Sequence, residues 1–75
     1  MYYYEIYVEN SKNIYTYKSK EKYHVGEWCI VNFVNSNKLG LIIDESEEEN
    51  IKFELSKIKY ITDRAPILSV PLSII

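Results

Sequence analysis

The chain has 75 residues, nine Lys and Arg against eleven Asp and Glu for a net charge of −2, and one cysteine. At this length it forms at most one domain, which hides only about 60% of its unfolded surface, and a single cysteine excludes an internal disulfide. The near-neutral charge argues against strong non-specific binding to nucleic acid, and no stretch approaches the ~20 apolar residues of a membrane-spanning helix, so a cytoplasmic domain is expected.

Eight tyrosines stand out beside two phenylalanines and one tryptophan. Tyrosine favours strands and combines an apolar body with a polar tip, so it serves equally in a small core or on a stacking surface. Charge is also segregated. Lys12 to Lys22 holds four lysines and one glutamate, whereas Asp44 to Glu49 holds five acidic residues and no basic one.

The first element, "YYYEIYVEN", alternates. It predicts a strand with Tyr4, Ile6 and Val8 on one face and Tyr3, Glu5, Tyr7 and Glu9 on a wetter one. After "NSKN", the second strand "IYTYKS" sets Tyr15 and Tyr17 opposite Ile14 and Thr16. "KSKEKYHVG" reads as a charged connection ending at Gly26, with His24 on its surface. The third strand, "EWCIVNFV", turns Cys29, Val31 and Phe33 inward and leaves a mixed face of Trp28, Ile30, Asn32 and Val34. "NSNK" is the expected hairpin loop. The fourth strand, "KLGLIID", directs Leu39, Leu41 and Ile43 one way and Gly40 and Ile42 the other.

"ESEEEN" is expected as an acidic surface turn, and "IKFELSKIKYI" as one or two further strands, with Ile51, Phe53 and Leu55 inward. In "TDRAPILSVPLSII", Pro66 and Pro71 break any long element. This apolar ending is expected to pack on something outside the chain, as in the front portion of a longer protein. Mainly β structure follows: a small curled or barrel-like antiparallel sheet of five to six strands, with an irregular or short helical C-terminal tail.

No catalytic constellation is visible. His24 is the only histidine, Cys29 lies in an apolar run as a small buried hydrophobe, and Gly26 and Gly40 are too far apart for a phosphate loop. The acidic run lacks the alternating oxygen donors and central glycine of a calcium loop. Chemistry alone offers three readings. Tyr15 and Tyr17 beside Lys12, Lys18, Lys20 and Lys22 suit a single strand of nucleic acid, with bases on rings and phosphates on lysines. The same tyrosines suit a core under solvated lysines. An SH3-like or OB-like interaction or structural barrel would use Trp28 and the Tyr2–Tyr4 stretch.

The order of the pieces adds to this. An N-terminal strand, then "NIYTYKS", "YHVGEWCIVNFVNSNKLGLIID" and "KIKYITDRAPIL" resembles the amino-terminal domain of the primosomal protein N′ (PriA) family of replication-restart helicases. By this resemblance Tyr15 and Tyr17 stand where the family's Phe and Tyr flank an aspartate, and Thr16 replaces that aspartate. Asn32 and Phe33 replace a Pro-Phe pair, and Val34 stands where glycine is usual. Gly40 matches the glycine opening the next strand, and Asp63 and Pro66 match a turn before a helix.

The resemblance implies a non-catalytic β-rich module over residues 1–62 that receives the 3′ end of the nascent leading strand at a stalled fork. Residues 63–75 would then lead towards a next domain. Forked or 3′-ended DNA and other domains of the parent chain are the implied partners. ATP, magnesium and zinc are implied only for the parent, an ATP-dependent 3′-to-5′ helicase. The implied DNA-binding residues are Tyr15, Thr16, Tyr17, Lys18 and Lys20 on one side. Phe33, Val34, Asn35, Lys38 and Gly40 supply the other, with Asn32 to Lys38 as one wall of a 3′-end pocket. An aspartate accepts a hydrogen bond from a terminal hydroxyl, and a glycine lets a nucleotide approach the backbone closely. With Thr16 and Val34 there instead, recognition of a free 3′ hydroxyl is expected to be relaxed or made by other groups.

Overall fold

The structure, a computed structural model, describes residues 1–52 and 54–65. Five strands form: β1 (Tyr2–Val8), β2 (Ile14–Ser19), β3 (Trp28–Phe33), β4 (Ser36–Ser46) and β5 (Ile61–Arg64). Single 3-10 turns lie at Glu48–Asn50 and Leu55–Lys57. The strands make one sheet in the order β2-β1-β4-β3-β5, with every neighbouring pair antiparallel. Its edges approach each other: Lys18 bridges to Tyr60 in parallel, and the Lys18 N–H donates to the Lys59 carbonyl at 3.0 Å. The sheet is therefore curled into a half-barrel, which leaves little strand edge open.

The alternation in each strand decides its inner face. Tyr4, Ile6 and Val8 are fully buried, as are Cys29 and Val31, with Tyr17 and Ile42 nearly so. In β4 it is Gly40 and Ile42 that point inward, leaving Leu39 and Leu41 half-buried and Ile43 exposed. Gly40 pairs with both Val8 and Cys29, and a Cβ there would lie 2.6 Å from Ile6 Cγ2. The curl of the sheet brings Ile6 against the β4 backbone, so only a glycine fits.

The 20–27 connection is more than a charged loop. Tyr23 is buried edge-on to Tyr4, with ring centroids 5.9 Å apart. The Tyr4 hydroxyl accepts from the Tyr23 N–H at 2.7 Å and donates to its carbonyl at 3.3 Å. Arg64 covers the outer side of Tyr23 at 4.2 Å and pairs with Glu27, while Gly26, at φ +94°, starts the chain into β3. His24 is exposed. Tyr3 and Tyr4 are buried, so of the Tyr2–Tyr4 stretch only the half-buried Tyr2 reaches the surface.

Two expectations need correction. The β3–β4 loop is not "NSNK". Phe33 pairs with Ser36, so the turn is Val34-Asn35 alone and the polar residues from Ser36 onward already belong to β4. No strand forms over the described residues of 51–55, where Ile51 and Leu55 are half-buried and Leu55 opens a 3-10 turn. β5 comes later, at Ile61–Arg64. The expectations for Phe53, Pro66 and Pro71, and for the apolar ending, lie outside the described residues.

Replacing Gly40 with alanine should cost about 1–3 kcal/mol, the usual range for overpacking, read as a lowered denaturation midpoint. A second expectation concerns alkaline pH. Burial pushes the Cys29 thiol from its ordinary 9.0 up to about 12, and burial raises Tyr4, Tyr17 and Tyr23 from their ordinary 10.0. These groups stay neutral in the fold but ionise once it opens, so their effect is absent below pH 9 and stability falls as pH rises towards 12. The melting temperature should begin to drop above pH 9, and in Cys29→Ala the drop should start nearer pH 10.

Candidate nucleic-acid interface

A solvent-open groove of about 390 Å³ lies where β2, the end of β3 and the chain leading to β5 meet. Its lining comprises Tyr15, Thr16 and Tyr17, then Asn32, Phe33 and Val34, and finally Lys57, Ile58 and Lys59. β2 and β3 are not neighbours in the sheet, and here a hydrogen bond joins them beside their core packing. The buried Tyr17 hydroxyl donates to the Asn32 carbonyl at 3.0 Å, and burial raises the pKa of this phenol so that it stays a donor. That bond brings Tyr15 to Phe33, whose ring centroids are 4.9 Å apart with planes tilted by 57°. The pair forms a partly exposed aromatic corner.

Alternation along β2 sends the Thr16 side chain to the face opposite Tyr15 and Tyr17. Its hydroxyl lies 2.9 and 3.1 Å from the two Glu5 oxygens, and Glu5 also accepts from Ser46 at 2.6 Å. Thr16 is thus committed to a polar row on the outside of the sheet. Among the described residues lining the groove none is acidic, while Lys57 and Lys59 are both exposed at it. Lys57 makes a solvent-facing contact with Glu54 at 3.5 Å.

The groove gathers Tyr15, Thr16, Tyr17, Phe33 and Val34 of the expected set, and not the other five. The Lys18 ammonium donates to the Leu55 carbonyl at 3.3 Å and sits 4.8 Å from the centre of the Tyr60 ring. Lys20 lies at a second groove of about 500 Å³, bordered also by Ser19, Glu21, Tyr23 and Tyr60 to Asp63. Asn35 is exposed in the turn, Lys38 pairs with Val31 inside the sheet, and Gly40 is in the core. Sequence reasoning missed Lys57 and Lys59. Their period-two spacing in "KIKYI" was the available signal.

Val34 and Asn35 have φ of 50° and 63°, the two positive values of a type I′ hairpin turn. Asparagine tolerates this region, but a β-branched residue does so only under strain. The valine therefore stands where the backbone itself asks for glycine, and its side chain is 74% exposed at the lip of the groove.

Among the described residues no group of three or more His, Cys, Asp or Glu side chains could hold a metal ion, and no helix is long and apolar enough to cross a membrane. A family profile described as the PriA 3′DNA-binding domain (3′BD) matches residues 6–73. No curated protein and no solved structure matches the chain. The turn geometry yields its own expectation: Val34→Gly should relieve about 1 kcal/mol of strain net of glycine's added chain entropy, raising the melting temperature by roughly 5 °C.

Proposed function

Because the chain belongs to the PriA-type 3′DNA-binding domain family, we propose that it is a non-catalytic module that receives the 3′ end of a DNA strand. In this reading it serves a cytoplasmic replication-restart helicase at stalled forks. ATP, magnesium and zinc would be used by other domains of that parent. The observation that carries the reading is the groove itself, which joins an aromatic corner to two exposed lysines without an acidic side chain among its described lining.

The division of labour follows from chemistry. A base stacks at Tyr15 and Phe33, since every base offers a π-face whatever its sequence. The backbone phosphate lies towards Lys57 and Lys59, where each cation releases a counterion from the strand. Tyr17 does not stack. It is 4% exposed and fixes the floor through Asn32.

The terminal hydroxyl is read loosely. Residue 16 points to the opposite face, where the Thr16 hydroxyl is engaged by Glu5, so its side chain gives the groove no acceptor for a terminal hydroxyl. With two lysines and no carboxylate among the described residues lining the groove, a terminal phosphate is as acceptable as a hydroxyl.

Titration with oligonucleotides that differ only at the end tests this. The 3′-hydroxyl and 3′-phosphate forms should bind within about threefold of each other, a difference under 1 kcal/mol, and a blunt duplex should bind more weakly. A preference for the hydroxyl beyond about tenfold would overturn the relaxed recognition. Replacing Lys57 and Lys59 together by alanine should weaken binding and reduce the salt slope by roughly 0.7 per lost contact.

A further inference from the structure

We infer that the seam between β2 and the chain entering β5 carries a second nucleotide subsite, centred on Tyr60, for the nucleotide preceding the terminal one. This rests on the DNA-binding reading above. The two grooves occupy consecutive stretches of one seam. β2 gives Tyr15 to Tyr17 to the first groove and Ser19 to the second, while the facing chain gives Lys57 to Lys59 and then Tyr60 to Asp63. Only the Lys18–Tyr60 bridge separates them. From Tyr17 to Ser19 is two strand residues, about 7 Å, so a strand leaving the first groove along this seam enters the second directly.

Tyr60 is suited to receive a base. It is 46% exposed and outside the buried core. Lys18 holds one side of the ring at 4.8 Å and is itself fixed by the Leu55 carbonyl, so the ring is positioned before any ligand arrives. Lys20, exposed at the same groove, is available to the phosphate.

The groove's two carboxylates behave differently. Glu21 approaches Arg64 at 3.7 Å, which offsets its charge. Asp63, beside Thr62, keeps a carboxylate oxygen for a ligand after its Oδ1 accepts from the Arg64 N–H. A carboxylate accepts from the exocyclic amine of cytosine or adenine and repels the carbonyl oxygen of thymine at the corresponding position. The subsite therefore favours cytosine or adenine over thymine.

NMR titration of the 75-residue chain with thymidine 5′-monophosphate and the dinucleotides d(CpT) and d(TpT) tests this. The d(CpT) dinucleotide should bind about tenfold more tightly than the mononucleotide, as expected for one added stacked base, and more tightly than d(TpT). It alone of the first pair should shift the amide signals of Thr62 and Asp63. Tyr60→Ala should lose the gain while keeping mononucleotide affinity, Tyr60→Phe should retain it, and Asp63→Asn should level the preference for d(CpT) over d(TpT).

Equal affinities for the mononucleotide and d(CpT), or no shifts at Thr62 and Asp63 in the wild-type chain, would overturn the subsite and leave the DNA reading standing. The wild-type shifts decide the matter even if Tyr60→Ala fails to fold. Failure of longer 3′-ended strands to bind at all would remove the DNA reading and the subsite with it.

Discussion

The hydrogen bond from the Tyr17 hydroxyl to the Asn32 carbonyl is the contact on which the groove depends. A chain this short gains core volume by burying tyrosines, and each buried ring brings a hydroxyl that must find a partner. Tyr4 finds it on the backbone of Tyr23, tying down a connection, and Tyr17 finds it on a strand that is not its neighbour. Among the described residues no buried side-chain nitrogen or oxygen is left without a partner. The polar tips of the core thus fix where loops and strand ends sit. A phenylalanine at position 17 would fill the same space yet leave the Asn32 end of β3 without its tether, and Tyr15 and Phe33 would lose their common reference.

Charge is sorted by the same architecture. The overall charge of −2 hides a separation between a groove with no acidic side chain among its described lining and the acidic run that begins at the end of β4. Tyr3 donates to Glu48 at 3.1 Å and Lys22 pairs with Glu45 at 3.3 Å, so part of that run is tied to the β1 face and to the 20–27 connection. Ion pairs this exposed add little stability. Their importance lies in where they hold the negative charge, because a strand of phosphates responds to local potential far more than to the net charge of the chain.

Much of the sheet was legible in the sequence because period-two alternation is a direct record of burial. Tyr4-Ile6-Val8 and Cys29-Val31 are inward as their spacing says. The corner of Tyr15 and Phe33 was legible through the order of the motifs rather than through any local pattern. The segment 51–60 was not, since its alternation is that of a strand but its described residues hold a 3-10 turn at Leu55–Lys57 and bury Ile58. That misreading concealed Lys57 and Lys59, whose value comes from where the segment crosses β2. Gly40 was legible only as the glycine opening a strand, and its close approach inside the sheet shows only in the 2.6 Å that would separate a Cβ from Ile6. The turn at Val34 also defeated local reading, because valine is among the residues least suited to positive φ.

The strand order has a consequence for how the chain acquires this shape. β1 lies between β2 and β4, so Val8 must find Gly40 and Tyr3 must find Ser46 before the middle of the sheet exists. Contacts so distant along the chain carry a loop-closure cost that is met before the core rewards it, which slows folding. The β3–β4 hairpin, the natural local nucleus, is handicapped by its strained valine. During synthesis, the β1–β2 ribbon would emerge first and wait with an apolar face uncovered until β4 arrives, a period in which an unpaired edge is open to other chains.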